Sequence, residues 1–179
     1  MILKASLEEM RGRRLRSSLV RVVQSGVFVW LEHPYTVRAF LEECFNLPES
    51  FILSRVQTIL LDSKVVDDMD TAWLRPGSRL ALSAAMPGVV GAALRRGGLF
   101  ARMREGIRCP AGCCPEDAAP FWLELRLYNA MIEELARPLF ACGFLIREDR
   151  MEPALSAFLQ EPPAALPPGP FLFVRASSF

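Results

Sequence analysis

The sequence holds a single histidine, His33, in 179 residues. No metal-binding His pair can therefore form, and neither a phosphate-binding glycine loop nor a nucleophile elbow is present, so an enzyme site has few candidate residues. A Cys/His pair built from His33 and a thiol stays open as the one nucleophilic arrangement, although His33, just before Pro34, reads more simply as a loop residue. No run of 18 apolar residues occurs. The longest suspect, 80–94, contains Pro87 and stops at Arg95-Arg96, so no transmembrane helix is expected. No positively charged start followed by an apolar block opens the sequence, and no secretory signal is expected. A net charge of +1 supplies no chain-wide field for nucleic acid or membrane. Five cysteines, an odd number with three bunched together, do not form the framework of a secreted disulfide protein. The expectation is a cytoplasmic, non-enzymatic protein with no catalytic residue and neither a nucleic-acid nor a membrane partner.

Apolar residues make up 51% of the chain and charged residues 23%, which suits a packed core and excludes global disorder. Charge is uneven: residues 1–105 carry 15 Lys/Arg against 11 Asp/Glu, and residues 106–179 carry 6 against 9. That shift hints at two units. Residues 1–15 read as an extension in which Ser6 and Glu9 form a capping-box pattern, with Gly12 breaking the helix and Arg11, Arg13, Arg14 and Arg16 on a solvated face. Residues 19–23 and 27–31 are β-rich runs around Gln24-Ser25-Gly26, a hairpin signal. Thr36 caps a helix whose apolar positions Val37, Phe40, Leu41, Cys44 and Phe45 form one stripe, ending near Asn46 and Pro48. A strand over 56–61, the turn Asp62-Ser63-Lys64, a short strand at Val65-Val66, the turn Leu74-Arg75-Pro76-Gly77 and a strand over 78–85 follow.

Strand, strand, helix, strand, short strand, strand is the order of a β-grasp, or ubiquitin-like, domain. The segment 19–91 resembles the ubiquitin-like sulfur carriers, the small subunit of molybdopterin synthase and the thiamine-pathway carrier. The matching features are Tyr35-Thr36-Val37 opening the helix, the turn from Leu61 through Asp62-Ser63-Lys64 to Val66, Asp70-Thr71 ahead of Leu74, and Pro76-Gly77-Ser78-Arg79-Leu80 entering the last strand. The resemblance covers roughly 75 of the 179 residues and implies a carrier whose free C-terminal Gly-Gly is activated by an adenylating enzyme. Here the last strand runs into Met86-Pro87-Gly88, with no Gly-Gly there, and the chain continues. The carrier-tail candidate is Gly97-Gly98, after Arg95-Arg96; it would act only after cleavage behind Gly98, and otherwise reads as a helix end or linker.

Residues 92–108 read as a connector, with Leu94, Leu99, Phe100 and Met103 on one face and Arg95, Arg96, Arg102 and Arg104 outward. Cys109, Cys113 and Cys114 crowd a Gly/Pro-rich loop. They make a metal or redox candidate in which Cys142, folding back, is the best fourth zinc ligand; the simplest reading has neither metal nor redox role. Phe121, Leu125, Tyr128, Ile132 and Leu135 predict one long helix over 118–137, its face wide enough for self-association. A strand over 143–147, a short helix over 151–159, a proline-rich loop over 161–170 and a strand over 171–175 complete the chain, strand–helix–strand permitting a parallel pair. The expected fold is α+β: a β-grasp domain over 16–91, then an α+β unit over 109–179 whose strands extend the first sheet. The expected function is a non-catalytic β-grasp binding or assembly module with a protein partner and no cofactor. The alternatives are a carrier or modifier precursor cut after Gly98, and a cysteine-loop zinc or redox module.

Overall fold

The computed structural model describes residues 2–85, 88–98, 106–115, 119–164, 166–167 and 169–176, the first ten of them as backbone. Helix α1 (Ile2–Ser25) leads into strand β1 (Val27–Leu31). A helix follows that starts as α2 (Val37–Ala39) and widens into a π turn (Phe40–Cys44), then comes α3 (Glu49–Arg55). Strands β2 (Thr58–Leu61), β3 (Lys64–Val65) and β4 (Arg79–Ser83) precede α4 (Gly88–Leu94). The later chain supplies β5 (Phe121–Tyr128), α5 (Met131–Glu134), α6 (Ala136–Cys142), β6 (Phe144–Arg147), β7 (Leu159–Gln160) and β8 (Phe171–Val174). Two 3₁₀ turns, Glu148–Arg150 and Pro153–Phe158, lie between β6 and β7. The molecule is mixed α/β.

Eight strands form one mixed sheet in the order β3-β2-β4-β5-β1-β6-β8-β7. Its centre is β5, parallel to β4 on one side and antiparallel to β1 on the other. The sequence of β5 explains the placement: Phe121, Leu123, Leu125 and Leu127 alternate with Trp122, Glu124, Arg126 and Tyr128, and the first set is buried while the second is half-exposed. Period-two alternation sends one set to each face of a pleated sheet. Register then stacks the buried set: Leu125 lies opposite Val27 and Leu80, and Leu127 opposite Leu82, which in turn faces Ile59. These residues join Leu19, Val22 and Val23 of α1, Phe40 and Leu41 after α2, and Met131, Leu135, Leu139 and Phe140 of α5 and α6 in one core. Each fully buried leucine stabilises by about 1.5–3 kcal/mol.

The expected helix beginning at Thr36 is present, its hydroxyl accepting from Ala39 N at 3.2 Å. The loop over 66–74 is strapped onto it by Val37 N to Ala72 O at 2.9 Å, Leu74 N to Tyr35 O at 2.8 Å and the Arg38–Asp70 ion pair. The strands expected near 56–61, 65–66, 78–85, 143–147 and 171–175 are found within a few residues of those bounds.

Other expectations fail. Residues 19–23 are the last turns of α1 and not the first strand of a hairpin; Leu15, Leu19, Val22 and Val23 recur at helical spacing, and burying that stripe outweighs the β preference of valine. The helix also runs through Gly12. The helix predicted over 118–137 is β5 followed by two short helices, and the long helix of the described residues is α1. Strands β6 and β8 pair antiparallel, not parallel. Segments 16–91 and 109–179 share one sheet as expected, but β5 joins it by insertion between β4 and β1 and not only at an edge. The side chains of Ser6 and Glu9, and the connector positions Leu99, Phe100, Arg102, Met103 and Arg104, lie outside the described residues. No helix among those described is long and apolar enough to cross a membrane.

Candidate functional site

The residues singled out from the sequence land in three separate places. Gly97, at φ +64°, and Gly98 end the turn after α4, with Gly98 N donating to Arg95 O at 3.1 Å. Arg96 just before them is anchored: its amide donates to Gln57 O at 2.8 Å, and its guanidinium reaches Ile52 O at 3.3 Å and Met69 Sδ at 2.8 Å. Burial there holds the Arg96 pKa below its ordinary value. Cys109 lies beside β3, its amide donating to Val65 O at 2.8 Å, and Cys113 and Cys114 are exposed.

Cys142 is elsewhere, donating its thiol to Cys44 O at 2.8 Å at the end of α6. It sits next to β6, five strand positions from β3, or about 24 Å at ~4.8 Å per strand. It does not fold back to the cysteine loop, and among the described residues no three Cys, His, Asp or Glu side chains are grouped to share a metal ion. His33 stacks on Tyr35 with ring centroids 4.0 Å apart. Burial pushes the Tyr35 hydroxyl up to about 12 and the Cys44 thiol up to about 11.

A different site is built on the sheet face opposite the core. Trp30 and Trp122 pair across β1 and β5 with centroids 5.1 Å apart, and Phe28 meets Phe171 edge to face at 5.2 Å. Alongside them the face becomes polar. Glu124 of β5 lies between two arginines: Arg79 of β4 donates through Nε to its Oε2 at 2.9 Å, and Arg126 donates to its Oε1 through Nε at 2.9 Å and a terminal nitrogen at 2.7 Å. Gly26, at φ +106°, makes room for this cluster, since a Cβ there would stand 2.8 Å from Glu124 Oε1.

Beyond the arginines, β2, β4 and β5 floor a cavity of about 410 Å³, with Leu94 of α4 as one wall. Arg79, Arg126 and Tyr128 line it, and so do the apolar Leu60 and Ala81. At its deep end Ser83 accepts from Asn129 Nδ2 at 2.9 Å. Thr58, only 2% exposed, also lines it, and its Oγ1 has no hydrogen-bond partner. A buried hydroxyl left without a partner costs about 1–3 kcal/mol. Gln57 Oε1, likewise unpartnered, faces an adjoining cavity of about 120 Å³ that Thr58 also lines. A larger groove of about 1040 Å³ runs between α1 and the turn Pro153–Phe158, but its liners Ser18 and Arg21 are already bonded to Glu152.

In the sequence Ser63, Arg79, Leu94 and Tyr128 read as turn, strand or helix residues, and none of the cavity's liners reads as a site residue. The available signal was Thr58, Ser83 and Tyr128, polar-tipped residues at strand positions, but it means a shared face only once the register is known.

Burial works to raise the Glu124 pKa, yet the hydrogen bonds from Arg79 and Arg126 outweigh it and hold the carboxyl below its usual range. A depressed folded pKa contributes stability that is complete above the unfolded value of about 4.3 and is lost as pH falls through the folded one. Glu124→Gln is expected to cost about 1–2 kcal/mol at neutral pH, with solvent screening already discounted. In urea titrations the gap between variant and parent should close as the pH is taken below about 4; an undiminished gap at about pH 3 would contradict the pairing.

No protein family, no curated protein and no solved structure matches this chain.

Proposed function

We propose that this protein is a non-catalytic binding module that holds a small ligand in the cavity on the second face of its sheet. The observation carrying this reading is the cavity of about 410 Å³ itself, where two arginines, Tyr128 and Asn129 converge among apolar residues, and where Thr58, a residue with a buried, unpartnered hydroxyl, lies in the lining. That volume lies within the range of about 300–1,000 Å³ usual for small-molecule sites, and a few polar groups set among apolar walls are their usual lining. The reading as a module without chemistry is supported by the lining itself. Among the described residues it offers no thiol, imidazole or carboxylate, and the Ser83 hydroxyl is bonded to an amide and not to a base.

The fold reading that goes with it is a β-grasp arrangement with a substituted strand. The expected first strand, 19–23, was to pair antiparallel with 27–31; that antiparallel place is filled by β5. The helix capped by Thr36 and the strands β2, β3 and β4 follow β1 in the β-grasp order. The function is then one of recognition, with the chain's own later segment completing the sheet.

The test is a fragment screen by ligand-observed NMR, run on the parent and on Ala81→Phe, which fills the cavity floor. Fragments should bind the parent and lose binding in the variant while both unfold within a few degrees of each other. If no fragment binds the parent, or the same fragments bind Ala81→Phe equally well, the cavity is not the site.

A further inference from the structure

We infer that the ligand is a small organic monoanion, a carboxylate on an apolar body; this rests on the cavity being a binding site. The charge arrangement points to it. Arg79 and Arg126 both line the cavity, whereas Glu124, the carboxylate they share, is not among its described liners. Among the described residues the two guanidinium groups are the only charged liners, and Glu124 offsets one of them; Asp62, which accepts from the Arg79 amide at 2.7 Å, is likewise not a liner.

Donors remain to meet an acid. A guanidinium has five N–H groups, and Arg79 engages Glu124 through Nε. Arg126 spends Nε and one terminal nitrogen on Glu124, which leaves its other terminal nitrogen and the remaining N–H of the first. A planar carboxylate matches such a fork in two parallel hydrogen bonds. Thr58 stands on β2 across the floor, opposite Ser83, and a turn of its side chain about χ1 would bring its unpartnered hydroxyl to a second oxygen of the ligand.

The rest of the lining decides between anions. Leu60, Ala81 and Leu94 form an apolar wall. Inorganic phosphate would set a hydrated dianion against that wall. A short aliphatic or aromatic acid puts its body on the wall and its charge on the arginines.

Isothermal titration with benzoate and hexanoate, their primary amides, and inorganic phosphate tests this on the full chain. The carboxylates should bind at least tenfold more tightly than the amides, and phosphate should not compete. Arg126→Met should erase the acid–amide difference, with Arg126→Lys restoring part of it. If Arg126→Met does not fold, the acid-to-amide ratio on the parent decides alone. Amides binding as tightly as acids would overturn the monoanion and leave the cavity reading standing. Phosphate binding in preference to both acids would overturn the carboxylate. Absence of binding by acids and amides alike, alongside a fragment screen with no hits, would remove the cavity reading itself.

Discussion

Residues 16–91 expressed alone are expected to show no cooperative unfolding transition. Among the described residues strand β1 pairs with β5 and β6, both supplied by the later chain, so in the fragment it has no strand partner. Strand β4 keeps β2 and loses β5. What remains is a sheet of three strands, β3, β2 and β4, of two, four and five residues. Leu123, Leu125 and Leu127, all fully buried, would also be gone from the core, a loss of about 1.5–3 kcal/mol each from a net stability of about 5–15 kcal/mol. Circular dichroism melts and the dispersion of amide proton resonances read the result. A sigmoidal melt from a monomeric fragment would overturn the single-sheet organisation. The same geometry bears on the carrier reading: cutting after Gly98 frees Gly97-Gly98 but severs the covalent link between β4 and the strand beside it. Mass measurement on protein from its native source would detect such a cut.

Gly143→Ala is expected to lower stability by about 3–5 kcal/mol. Gly143 joins α6 to β6 at φ +81° and ψ 152°, a backbone region that costs an L-residue about 1–3 kcal/mol. A methyl group there would also stand 2.9 Å from Phe173 Cε2 and closer still to its Cζ. Phe173 is 4% exposed and cannot swing clear, so overpacking adds about 1–3 kcal/mol. The melting temperature should fall by roughly 6–20 °C. Adding Phe173→Leu should recover the packing part and leave the backbone part. A single variant melting within about 3 °C of the parent would refute the assignment.

How far the sequence revealed the fold can be traced to particular residues. The helix opened by Thr36 was legible because cap and apolar stripe agreed, and β2 through β4 were legible because turn residues such as Asp62, Ser63 and Gly77, all at positive φ, punctuate them. Strand β5 was not. Phe121-Trp122-Leu123 and Tyr128 are apolar on both faces, and the true helical turns of Met131, Ile132 and Leu135 follow at once, so a 3.6-residue stripe could be drawn through the whole segment. The alternation Leu123-Glu124-Leu125-Arg126-Leu127 held the correct answer. In the segment 19–23 valine content suggested a strand, and only tertiary burial made it helix. The cavity was invisible for a different reason. Its residues come from β2, β4, β5 and α4, and what unites them is a register that spans 36 positions from Thr58 to Leu94 and 70 from Thr58 to Tyr128.

The two outermost strands of the sheet, β3 and β7, are two residues long each. On the β3 side, Arg108 and Cys109 already lie along Val65, with Cys109 N donating to its carbonyl. On the β7 side, Pro162 and Pro163 follow shortly after Gln160 and carry no amide hydrogen. Short, blocked edges leave little backbone for a partner's chain to zip onto. Recognition by strand addition therefore has little backbone to use at either end, and the same holds for edge-to-edge polymerisation between copies. A partner is then met by loops, helices and the side chains of the sheet faces, and not by a shared strand.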